Sequence, residues 1–138
     1  MQWMLMPLKR YADFSGRSRR KEYWMFALFL AIVYAVLIAA MMAFGVLEDG
    51  GADGGLGLFS GTALVLLVVF ALAIFIPSLA VTVRRFHDQD RSGWFVLLNF
   101  VPYIGGLIVL VFMCLEGTKG PNRFGPDPKD PDHSEVFA

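Results

Sequence analysis

The sequence predicts an all-α integral membrane protein with three transmembrane helices. Three observations carry that prediction. Of 138 residues, 57% are hydrophobic and only 17% charged, against about 45–50% and about 25% in ordinary soluble domains. The mean hydropathy is +0.58. The apolar residues also fall in three blocks with no Asp, Glu, Lys, Arg or His: Tyr23 to Leu47, Leu56 to Val83 and Gly93 to Leu115, together 76 residues. A bilayer-spanning helix needs about 20 apolar residues, and each block exceeds that. None carries the polar stripe of a helix packed on a soluble core.

The same numbers exclude other classes. Disorder requires low hydrophobicity and high charge. A single Cys excludes a disulfide framework and a Cys-based zinc site. Twelve basic and twelve acidic residues give zero net charge, which argues against a nucleic-acid binder.

Each element follows in order. Met1 to Glu22 mixes Trp3, Leu5, Met6, Leu8, Tyr11 and Phe14 with Lys9 and Arg10, which suits an interfacial stretch on the headgroups. Pro7 argues against one clean helix there. The first helix, about residues 23–47, starts too late and runs too long for a cleavable signal. Ala27, Ala31, Ala35, Ala39 and Ala43 recur every four residues and form one stripe of small side chains. Such stripes let helices approach closely in lipid, whether the neighbour is internal or another subunit. The second helix, about 56–83, should kink near Pro77. The third, about 93–115, contains Pro102, Gly105 and Gly106. They either kink a crossing helix or break it into a re-entrant hairpin, and the kinked span is the expectation. Asn99 should serve helix packing. The tail holds Pro121, Pro126, Pro128 and Pro131 and should be irregular. Residues 1–128 then form one membrane domain and 129–138 a polar tail containing His133.

Orientation comes from the flanks. The N-terminal segment holds six Lys or Arg, and the turn from Arg84 to Ser92 holds three. The loop from Glu48 to Gly55 holds none and carries Glu48, Asp49 and Asp53. The positive-inside rule places the N-terminus in the cytoplasm, and three crossings then put the tail in the periplasm or outside.

Polar residues gather at three places. In the first, Arg17, Arg20 and Glu22 precede Tyr23 and Trp24, two aromatics suited to anchor the membrane interface. Glu22 sits where the chain enters lipid and should seek a cation. In the second, Arg84, Arg85, His87, Asp88, Asp90 and Arg91 crowd a nine-residue turn. There Ser92 is placed to cap the third helix and Trp94 to anchor it. Arg84 and Asp88 share a face if the second helix runs on. We expect the two places to meet, Glu22 pairing with Arg84 or Arg85, and Asp88 with Arg17 or Arg20. In the third, Asn122 and Arg123 lie in a Gly- and Pro-rich turn, suited to a headgroup phosphate or to backbone capping.

Taken together, Gly16-Arg17-x-x-Arg20-x-Glu22-Tyr23-Trp24, Arg84-Arg85-x-His87-Asp88-x-x-Arg91-Ser92-Gly93-Trp94 and Asn122-Arg123-Phe124-Gly125-Pro126-Asp127-Pro128 resemble the DUF805 family of YhaH-like bacterial inner-membrane proteins. The resemblance covers about Phe14 to Pro128. Its pattern usually has Gly or Thr-Gly where this chain has Gln89-Asp90. It implies a plasma-membrane location and a small helical fold, and it implies no catalytic assignment.

Three functions remain to weigh. The leading one is a non-enzymatic protein binding anionic lipid or a partner protein through its basic cytoplasmic face, since Arg suits phosphate. The alternative is a subunit of a transporter or channel assembly, with a like copy or another membrane protein as partner. No ionisable residue lies in the middle of any run, where ion pathways usually place one. Last comes a membrane-face enzyme using His87 and Asp88, for which no phosphate-cradling loop, HExxH or triad pattern is present. No catalytic residue, cofactor or metal site is assigned.

Overall fold

The structure, a computed structural model, describes residues 2–48 and 58–129. The elements are α1 (Gln2–Lys9), α2 (Arg20–Glu48), α3 (Leu58–Asp88), a 3-10 helix (Gly93–Phe100) and α4 (Gly105–Cys114). Among the described residues the only β-type pairing is an isolated bridge between Asn122 and Gly125. The protein is all-α, as its composition predicts. The acidic first loop after Glu48, the predicted start of the second helix at residue 56 and the tail beyond Lys129, with His133, lie outside the described residues.

α2 and α3 are long apolar helices. Their stretches Arg20–Ala43 and Ser60–Asp88 are each long and apolar enough to span a bilayer. Both helices extend past the uncharged runs at their polar ends. α2 begins at Arg20 and α3 continues through Arg84 and Arg85 to Asp88. α3 also continues through Pro77, and the Thr82 hydroxyl donates to the Ser78 carbonyl at 2.7 Å. α1 contains Pro7. In so short a helix the ring removes only the one bond to the carbonyl four residues back.

The third run is not one helix. The 3-10 helix ends at Phe100, the chain turns at residues 101–104, and the ten-residue α4 follows. Local chemistry explains the break. Pro102 has no N–H to continue a helix. Tyr103 adopts φ +67°, a left-handed conformation that ends regular structure. Gly105 is buried, and a Cβ there would collide with the Leu98 carbonyl. The two limbs therefore pack closely because position 105 is glycine. Asn99 is exposed on the 3-10 limb rather than set between helices.

The chain divides into two compact units. One comprises Ala27–Phe75. In it Tyr34 of α2 meets Phe70 of α3 edge-on, ring centroids 5.3 Å apart. Ala31, Ala35, Ala39 and Ala43 are exposed, so the alanine stripe faces outward. The other unit comprises Met1–Phe26 with Ile76–Ala138. Its core is Phe86, Val109 and Met113, with Tyr23, Val96, Leu98 and Phe112 packed around them. Phe86 contacts both Phe95 and Phe112. This second unit holds all three polar constellations.

Candidate functional site: a buried charge network

Three segments converge on Asp88, at the C-terminal end of α3. Arg17 reaches it from the N-terminal segment, donating from Nε to Oδ1 at 3.0 Å. Arg85 donates from Nη1 to Oδ2 at 2.5 Å. The tail arrives third. The Thr118 amide donates to the Asp88 carbonyl at 2.8 Å and its hydroxyl to the same oxygen at 3.1 Å. Arg17 then ties the tail further, donating to the Gly120 carbonyl at 2.7 Å and the Thr118 carbonyl at 2.6 Å. Arg85 also donates to the Leu115 carbonyl. Gly117 fits against Asp88 because any Cβ there would run into the carboxylate.

Glu22 pairs with Arg84 through a 3.1 Å bond between Oε1 and Nη2. Beside this pair the Ser18 amide donates to the Arg84 carbonyl at 3.2 Å. Arg17, Glu22, Arg84, Arg85 and Asp88 are all buried, Arg84 and Arg85 completely. Three guanidinium groups thus face two carboxylates; tail carbonyls add acceptors for Arg17 and the Leu115 carbonyl one for Arg85, while Nε of Arg85 and Nε and Nη1 of Arg84 are buried without a partner. A charge in a low-dielectric interior needs such partners. Arg84 and Asp88, expected to share a face, do not pair. Arg85 takes Asp88 and leaves Arg84 to Glu22.

The other singled-out residues sit around this centre. Arg20 bonds Glu116 at 2.6 Å and the Cys114 carbonyl at 3.2 Å, both near the surface. His87 lies with Nδ1 3.2 Å from the Gly16 carbonyl. Since a carbonyl only accepts, Nδ1 carries the proton. Its ring stacks on Phe124, 3.9 Å between centroids and 4° from parallel. Asn122 closes the tail turn, donating to the His87 carbonyl at 2.8 Å and accepting from the Phe124 amide at 2.9 Å. Arg123 pairs with exposed Asp90 at 3.1 Å and stacks over Phe124. Arg91 lies over Phe112 and Phe95. Ser92 caps the 3-10 helix through the Trp94 amide. Trp94 is strongly exposed and Trp24 exposed. Tyr23 instead packs on the core and edge-on against Trp24.

Two carboxylates outside the spanning helices are tuned. Slight burial pushes the Asp13 carboxyl up, but bonds from Ser15 and Arg10 outweigh it and hold it down at about 2. Slight burial likewise raises Asp127, while the amides of Lys129 and Gly120 outweigh it and hold the carboxyl low.

Sequence reasoning did not single out Gly117, Thr118, Gly120 or Glu116 as partners, nor the Phe124–His87 stack. Gly117 contributes the absence of a side chain and Gly120 a main-chain carbonyl, which leave no chemical signature. A groove of about 480 Å³, lined by Phe14, His87, Trp94, Leu97 and Phe124 among others, was equally invisible. Among the described residues no three His, Cys, Asp or Glu side chains gather as a cation site.

A family described as "Protein of unknown function (DUF805)" matches residues 11–126. The chain is 48% identical to "Inner membrane protein YhaI" of Escherichia coli (strain K12) over 129 residues, which is 94% of this chain and 97% of that protein. It is 43% identical to "Inner membrane protein YhaH" of the same strain, over 94% of this chain and 98% of that one. No solved structure matches it. Family match and near full-length relatives agree with the two apolar spans and with the three motifs that build the network: the chain belongs to the DUF805 family.

Proposed function

We propose that this protein is a non-catalytic inner-membrane protein whose basic, cytoplasmic face binds anionic phospholipid headgroups. The supporting observation is a division of labour among the cations. Arg17, Arg84 and Arg85 are buried and bonded internally, so they hold the face together. Lys9, Lys21, Arg123 and Lys119 are exposed, and Arg19 and Lys21 both lie over the Trp3 ring, at 5.4 and 5.7 Å. An aromatic flanked by cations suits the headgroup layer. Cations near an anionic leaflet gain about 1 kcal/mol each. Six Lys and Arg in the N-terminal segment and none in the first loop support a cytoplasmic N-terminus.

The test is lipid retention. Protein purified from membranes is exchanged into nanodiscs of mixed phosphatidylglycerol and phosphatidylcholine, and bound lipid is read by native mass spectrometry. A Lys9→Gln, Arg19→Gln, Lys21→Gln variant should lose its phosphatidylglycerol preference while keeping its melting temperature. An unchanged preference contradicts the reading.

A further inference from the structure

We infer that the third apolar run does not cross the bilayer: it enters and leaves the cytoplasmic leaflet as a re-entrant hairpin, whose outer surface meets that leaflet's acyl chains. The inference goes beyond headgroup binding and does not depend on it.

Both ends of the run are fixed to the same few residues. At its start, Gly93 lies against Val83 and His87 so closely that a Cβ would stand 2.7 Å from Val83 Cγ1 and 3.2 Å from His87 Nε2. At its end, the Leu115 carbonyl accepts from Arg85 and the Thr118 amide donates to Asp88. Val83 to Asp88 is less than two helical turns. A crossing helix would separate its ends by the hydrocarbon thickness, about 30 Å.

Limb length agrees. Eight residues of 3-10 helix rise about 16 Å, and ten of α-helix about 15 Å. Each limb reaches roughly halfway through the hydrocarbon.

The surface chemistry suits lipid. The run holds no Asp, Glu, Lys, Arg or His. Trp94, Phe100, Tyr103 and Leu107 are each exposed over more than 60% of their surface. Irregular backbone in lipid must satisfy its own polar groups. At this turn Val101 donates to the Leu98 carbonyl at 3.0 Å, Ile104 to Pro102 at 2.9 Å and Gly105 to Val101 at 3.1 Å. Pro102 has no N–H to satisfy.

Charge provides an independent argument. A crossing would carry Lys119, Arg123 and Lys129 to the outer side. A hairpin keeps all twelve Lys and Arg on one side, opposite a loop with none. That is the distribution the positive-inside rule favours.

The experiment uses the full chain with Cys114→Ser and one new cysteine at a time. A membrane-impermeant maleimide is applied to spheroplasts and to inverted vesicles. Asp53→Cys should label only from outside and calibrates the assay. Lys119→Cys should label only in inverted vesicles, and Tyr103→Cys should lose nearly all labelling from both sides until detergent is added. A nitroxide on Tyr103→Cys should then collide with oxygen in preference to a water-soluble nickel chelate. Labelling of Lys119→Cys from outside overturns the hairpin in favour of a crossing. Ready labelling of Tyr103→Cys in inverted vesicles overturns it in favour of a hairpin lying in water.

Discussion

Asp88 holds two guanidinium groups, Arg17 at 3.0 Å and Arg85 at 2.5 Å, with all three side chains buried. Removing one member of a buried ion pair leaves the other charge uncompensated, at a cost of about 3–5 kcal/mol. Asp88→Asn keeps the shape and removes the charge, so it should destabilise the protein by about that amount. Thermal unfolding in detergent measures it, and a melting temperature within error of the parent contradicts the network. Asp13 gives a pH signature. Its carboxyl is depressed to about 2 from an ordinary 3.8. A depressed carboxylate stabilises the fold above its unfolded value and loses that contribution as pH falls through its folded one. The Arg10–Asp13–Ser15 clip should therefore hold above pH 4 and open near pH 2. A carboxyl-carbon NMR titration with its midpoint near 3.8 would refute the clip. At this scale the sequence was informative about charge. Glu22 needed a cation at the membrane entry and met Arg84; Asp88 met Arg17. Which of two adjacent arginines takes which acid depends on helical phase, and periodicity left that open. Asp90 has φ +56°, a left-handed position that glycine and Asp tolerate best.

Among the elements, α2 and α3 were legible because twenty or more uncharged residues have few alternatives to a spanning helix. The third run was legible only in part. Its composition matches the other two, and Pro102 with Gly105 and Gly106 fits a kink as well as a break. What separates the outcomes is the fit of Gly105 against the Leu98 carbonyl, a contact seven residues back that no pattern announces. The hairpin should accordingly depend on that glycine. Gly105→Ala puts a methyl group where a backbone oxygen stands, and overpacking of this kind costs about 1–3 kcal/mol. Gly106, whose Cβ would meet nothing within 4 Å, serves as the control. Gly105→Ala should lower the melting temperature and Gly106→Ala should leave it almost unchanged. Equal effects would contradict the close approach of the limbs. The tail follows a similar logic. Its glycines and prolines indicated turns, while the acceptors for Arg17 are main-chain carbonyls of Thr118 and Gly120, which every residue possesses.

For the whole molecule, the apolar excess divides into two helices long enough to span a bilayer and a third run broken into two short limbs. The tail was expected beyond the membrane. In the structure it bonds to Arg17, His87 and Asp88, the observation on which the re-entrant proposal rests. The sequence left open whether the third run crosses or re-enters, because Pro102, Gly105 and Gly106 fit both outcomes. The side chains at the run's two ends carry the missing information, and they become readable only once both ends are located. N-terminal segment, turn and tail meet around Asp88, with their buried arginines binding them together; under the proposed function their exposed cations are the ones left for lipid. The most direct test is a pair of reporters fused after Ala138. A fluorescent protein that matures only in the cytoplasm should be bright, and alkaline phosphatase, active only in the periplasm, should be silent. A dark fluorescent fusion with active phosphatase would show that the tail has crossed and that the three motifs do not share one face.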